Sequence, residues 1–112
     1  MNYLQTVAVG RITADAKFFA SSGDKKALAA FTVAVNRGDD AVTYVECELR
    51  GDRAEKLQKY LVKGKEVLCT GTPGATAFMS NNEARASLKL YTYDVQLGSD
   101  SQGQGSKGDD PV

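Results

Sequence analysis

Along the first half of the chain, apolar and polar residues alternate with a period of two, the mark of strands that bury one face. The first such stretch runs from Tyr3 to Ile12, where Leu4, Thr6 and Ala8 interleave with Gln5, Val7 and Val9 and both faces carry apolar groups. Gly10 marks a bend or bulge within it. A short apolar segment, Phe18-Phe19-Ala20, leads to Ser21-Ser22-Gly23-Asp24, a turn by composition. Ala27 to Val35 is the second strand, with Leu28, Ala30, Thr32 and Ala34 alternating with Ala29, Phe31, Val33 and Val35, and Phe31 is read as core. Arg37-Gly38-Asp39-Asp40 turns the chain into a third strand, Val42 to Arg50. There Val45, Cys47 and Leu49 fall on one face, and Tyr44, Glu46, Glu48 and Arg50 on the other.

The period then changes. Ala54, Leu57 and Leu61 lie on one side of a short helix, with Tyr60 beside them. Asp52 and Glu55 fit a capping box in its Asp form, and Gly64 fits the left-handed position after the helix. Glu66 to Gly71 resumes as a strand, which Pro73 and Gly74 are expected to bend before Phe78. Ser80-Asn81-Asn82-Glu83 reads as a turn, and Leu88 to Leu97 as the last strand. Residues 99–112 are mostly Ser, Gly, Gln and Asp without an aromatic, too polar to bury a core, and are expected to be disordered. Three strands, one helix and two strands predict an all-β, five-stranded OB-fold barrel with the helix between strands 3 and 4. One domain spans 1–98 and a tail spans 99–112.

Composition narrows the chemistry. At 112 residues, with 42% hydrophobic and 25% charged, the chain suits one ordinary globular domain. No apolar run approaches the ~20 residues of a membrane span. Met1-Asn2-Tyr3-Leu4-Gln5 has no basic region followed by an apolar run, so a cytoplasmic protein without membrane contact is expected. There is no histidine, and Cys47 and Cys69 lie within strands without a CxxC pair, so no metal site, no cofactor and no catalytic residues are expected and the thiols are read as buried and free. A P-loop and a GxSxG elbow are both absent, which leaves a binding protein, not an enzyme. Charge totals 14 minus 14, or zero, but is unevenly placed: in the tail Asp100, Asp109 and Asp110 oppose Lys107, for −3 + 1 = −2, which leaves +2 on the rest.

Five segments, in order, resemble the bacterial single-stranded DNA-binding protein family, over Met1 to Ser99. They are Val9-Gly10-Arg11-Ile12 closing the first strand, Ala29-Ala30-Phe31-Thr32-Val33-Ala34-Val35-Asn36-Arg37, Arg50-Gly51-Asp52-Arg53-Ala54-Glu55 with Tyr60-Leu61-Val62-Lys63-Gly64, Val67 to Gly71, and Asp94-Val95-Gln96-Leu97-Gly98. The resemblance implies a protein that coats and protects single-stranded DNA during replication, recombination and repair. Bases would stack on rings and cations would track phosphates. It places stacking groups at Tyr44 and Phe78, with Arg50 standing where the family carries a third aromatic; a guanidinium plane can also stack. Phe18 and Phe19 are further stacking candidates, one facing DNA while its neighbour packs inward. Arg11, Lys17, Lys25, Lys26, Arg37, Arg53, Lys56 and Arg85 are the candidate phosphate contacts. The resemblance also implies assembly with itself, as a homotetramer or a dimer, and replication or repair partners that read the acidic end, Asp109-Asp110-Pro111-Val112.

The chain departs from the family's pattern in ways that bear on affinity. It has no tryptophan, the loop after Asn36 is short and lacks its aromatic, Glu48 adds a carboxylate beside Glu46, and Val112 stands in place of a final Phe. Binding is therefore expected to be weaker and more salt-sensitive than is usual for the family. The alternative reading is an OB-fold accessory module that holds protein partners or RNA and has weakened affinity for single-stranded DNA.

Overall fold

The computed structural model describes residues 1–38 and 40–98; the tail and its candidate partner-binding end, Asp109 to Val112, lie outside the described residues. Strands β1 (Thr6–Ile12), β2 (Lys17–Phe19), β3 (Leu28–Asn36) and β4 (Val42–Arg50) come first. Helix α1 (Asp52–Leu57) and a 3-10 turn (Gln58–Tyr60) follow, and β5 (Glu66–Ser80) and β6 (Glu83–Leu97) close the described chain. The six strands lie in the order β1-β5-β6-β4-β3-β2, and β1 also pairs with β3. Five strands thus close a ring in the OB arrangement, with the helix between its third and fourth strands. The sixth is the Phe18-Phe19 segment, which runs antiparallel to β3 as a short edge strand.

Closure depends on β1 changing partners. Its residues Thr6 to Arg11 pair with β5, and Arg11 and Ile12 also pair with β3. At the crossing, a Cβ on Gly10 would collide with the Ala34 carbonyl oxygen, so the missing side chain is what lets the strands approach. The core inside the ring follows the alternation: Ala29, Phe31 and Val33 of β3 and Val45, Cys47 and Leu49 of β4 are buried. They meet Ile12, Val67, Cys69, Leu90 and Val95. Val45 is thus core, as the alternation of β4 predicts.

Helix α1 plugs one end of the ring by burying Ala54, and Leu61 after it, completely. The strand before it is held by Gly51 N–H donating to the Ala27 carbonyl, at 2.8 Å, and the segment after it by Ala16 N–H donating to Leu61, at 2.8 Å. The N-terminus differs from the expected capping box. Gly51 (φ 83°) is the cap, there is no side-chain cap bond, and Asp52 is the first helical residue. Gly51 has no side chain to offer, but its carbonyl accepts from Ala54 and Glu55 N–H. Gly64 takes the expected left-handed conformation, with φ 87°.

The largest departure from the sequence pattern is the hairpin. Pro73 and Gly74 do not break β5; β5 and β6 each run for 15 residues. The reason is where the neighbours stop. β1 leaves β5 at Gly71, where a bulge between Thr70 and Gly71 shifts the register, so Pro73 lies where the strand's outer edge is open and a missing N–H is tolerated. The hairpin then extends past the ring to a two-residue turn. Asn81 (φ 52°) and Asn82 (φ 65°) are both left-handed there, as a type I′ turn requires and as asparagine tolerates.

Candidate nucleic-acid interface

Alternation and register place one set of side chains on the ring's outer face. On β4 these are Tyr44, Glu46, Glu48 and Arg50, opposite Ala34, Thr32, Ala30 and Leu28 of β3. Because the β3 residues are small or only half-buried, the β4 side chains stand above a low floor. Lys17 and Phe19 of β2 pair with Ala30 and Leu28 and so join the same face. The parallel β4–β6 ladder sets Lys89 beside Glu46 and Tyr91 beside Glu48. Along the hairpin, Thr72 pairs with Tyr91, Gly74 with Lys89 and Phe78 with Arg85, which carries the face out to the tip.

Tyr44, Phe78, Tyr91 and Phe19 are 59%, 46%, 48% and 54% exposed, so each side chain is open to solvent on this face. Sequence reasoning missed Tyr91 and Lys89. The alternation of Leu88, Leu90 and Thr92 against Lys89, Tyr91 and Tyr93 carries the signal, but a face can be assigned only once β6 is known to lie beside β4. Tyr91 is positioned by a glycine: a Cβ on Gly74 would strike its ring edge, so the ring uses the space that Gly74 leaves open.

The predicted stacking and phosphate residues divide. Phe19, Lys25, Lys26 and Arg50, with Leu28, line one cleft of about 630 Å³ at the β2–β3 turn. Lys17 lines a second, of about 250 Å³, with Asp15, Thr32, Glu46 and Glu48. Arg85 stands near the hairpin tip beside Phe78 and pairs with Glu83 at 3.2 Å. Phe18 points the other way and packs against the core, so of the adjacent phenylalanines only Phe19 faces outward. Arg11 lies on β1 and donates to the Gly64 carbonyl at 2.9 Å, away from this face. Arg53 is tied to Asp94 at 2.7 Å and to the Tyr93 carbonyl at 3.2 Å. Lys56 is exposed on α1, and Arg37 is exposed in the turn after β3.

Electrostatically the centre of the face is not simply basic. Glu48 accepts from Arg50 at 3.1 Å through one carboxylate oxygen and meets Lys89 at 3.7 Å through the other. The thiols take no part. Cys47 and Cys69 are free and buried, and a hydrogen bond shared with Cys47, then burial, pushes Cys69 above its ordinary value. Among the described residues no cluster of His, Cys, Asp or Glu could hold a metal ion, and no helix is long and apolar enough to cross a membrane. An exposed row of rings with guanidinium and ammonium groups at its margins can stack flat bases and pair with phosphates.

Comparison with known proteins points the same way. The pattern of the single-strand binding protein family matches residues 3–97. A single-stranded DNA-binding protein of Treponema pallidum (strain Nichols) is 34% identical over 99 residues, covering 81% of this chain and 55% of that protein's length. One from Clostridium perfringens (strain 13 / Type A) is 30% identical over 110 residues, covering 93% of this chain and 71% of its own. The chain thus spans little more than half of the first relative. The crystal structure of a small single-stranded DNA-binding protein from Streptomyces coelicolor superposes with a TM-score of 0.70 at 14% identity, covering 88% of this chain and 96% of that one, a likeness of fold.

Proposed function

The chain belongs to the single-strand binding protein family, and we propose that it binds single-stranded DNA without catalysis, across the outer face of β2, β3, β4 and the β5–β6 hairpin. It would coat and protect strands opened during replication, recombination and repair, in the cytoplasm at the nucleoid. The observation that carries this reading is the row of exposed rings, Tyr44, Tyr91 and Phe78, on one continuous sheet face, with Phe19 at its β2 margin. Unpaired bases of any sequence can stack there, at about 1–3 kcal/mol each. Lys17, Lys25, Lys26, Arg50 and Arg85 lie around the rings and serve as phosphate contacts. Arg11, Arg53, Lys56 and Arg37 are left outside the proposed footprint.

Titration with oligo-dT, with duplex DNA of the same length and with a structured RNA, each at two salt concentrations, tests this. Oligo-dT should bind best and weaken as salt rises. The carboxylates of Glu46 and Glu48 in the middle of the face favour a second reading, an accessory module that prefers RNA or protein. Tight binding of structured RNA with little for oligo-dT would select it.

Assembly into a homotetramer or dimer belongs to the same proposal. It is supported by Val7 and Val9 on the outer side of β1, exposed beside half-buried Leu68, with Tyr3 and Leu4 exposed just before them. Replication or repair partners would read Asp109 to Val112.

A further inference from the structure

We infer that Glu48 is a built-in substitute for phosphate, which holds Arg50 and Lys89 while the face is empty and makes the site selective for strands with stackable bases. The inference rests on the reading of this face as a strand-binding surface. Its basis is the two-sided grip of one carboxylate. One oxygen takes Arg50 Nη2 at 3.1 Å and the other faces Lys89 Nζ at 3.7 Å. The Glu48 side chain is only 21% exposed, so this pairing is less screened than one between fully exposed groups. Register sets Glu48 beside Tyr91, in the row of rings where a strand would lie.

A carboxylate and a phosphate ask the same thing of a cation: negative oxygens that accept its N–H donors. Arg50 and Lys89 therefore have an anion already attached through the protein. An incoming phosphate competes with that anion for the charge of both cations and for the Arg50 N–H that Glu48 occupies, and Glu48 stays in the site as a like charge. A ligand that brings stacking on Tyr44, Tyr91 and Phe78 offsets this cost. A bare polyanion cannot. The same pairing lowers the number of mobile counterions the face releases on binding, which makes the salt dependence shallower than the cation count implies and reverses the greater salt sensitivity expected from the sequence.

The test compares the full chain with Glu48→Gln, Glu48→Asp and Glu55→Gln. Folding is verified by circular dichroism, and oligo-dT and inorganic polyphosphate are titrated over a series of salt concentrations. Glu48→Gln should bind oligo-dT about threefold to tenfold tighter at low salt, with a salt slope steeper by about 0.7 for each cation released. It should also gain affinity for polyphosphate by at least the same factor. Glu48→Asp keeps the charge but shortens the reach, so it should steepen the slope part of the way, which repulsion alone would not do. Glu55→Gln removes an equal charge from the exposed side of α1 and should change neither ligand. The inference is overturned if Glu48→Gln behaves like Glu55→Gln, or if it weakens binding. If wild type ignores oligo-dT while Glu48→Gln still gains polyphosphate, the strand-binding reading fails and the hold of Glu48 on its cations stands.

Discussion

Phe18 and Phe19 are adjacent and chemically identical, yet the pleat gives them opposite work. Phe19 faces the cleft with Lys25, Lys26 and Arg50, and Phe18 packs against the core. Phe19→Ala is therefore expected to weaken oligo-dT binding by about 1–3 kcal/mol and leave the urea midpoint unchanged. Phe18→Ala should lower stability by about 1–3 kcal/mol and affect binding only through folding. The three-residue segment is too short for alternation to say which ring turns in, so this distinction was not legible in the sequence. Over nine residues of β4 it was: Val45, Cys47 and Leu49 are buried and Tyr44 is exposed, as the pattern requires. Cys47 and Cys69 are buried, so a thiol reagent should label neither until the protein unfolds. Rapid labelling of the native protein would mean that the ring opens.

Among the elements, the strands of the ring were legible because each buries one face, and so was the turn at Asn81-Asn82, whereas the length of the hairpin was not. Pro73 and Gly74 carry a local signal to stop, and it is overruled by tertiary context, the open edge of β5 beyond Gly71. The helix was legible from the spacing of Ala54, Leu57 and Leu61. Its cap was not, since the Asp52–Glu55 pair imitates a capping box one residue away from the true boundary at Gly51. Leu61 is wholly buried at the plugged end, and Leu61→Ala should cost about 2–5 kcal/mol in urea denaturation. The hairpin tip lies outside the ring and contributes nothing to the core. Its amides between Thr76 and Arg85 should exchange with deuterium well before those of β3 and β4. Equal protection of tip and ring would show that the tip is held by something else, such as a second copy of the chain.

At the scale of the whole molecule, what could not be read from the chain is how the ring brings β4, β6 and the hairpin onto one face, because the parallel β4–β6 pairing joins segments far apart in sequence. That pairing sets Tyr91 beside Glu48, on the same face as Tyr44. Assembly belongs to this scale too: light scattering at micromolar concentration should report a mass two or four times that of the monomer, and a monomer would remove the proposed role of Val7, Val9 and Leu68. The central claim is that the row of rings binds the strand. It is tested most directly by titrating oligo-dT against wild type and the double variant Tyr44→Ala/Phe78→Ala under one low-salt condition. Both rings are exposed, so the variant should keep its fold and lose about 1–3 kcal/mol of binding for each ring. A folded double variant that binds oligo-dT as tightly as wild type would contradict the account.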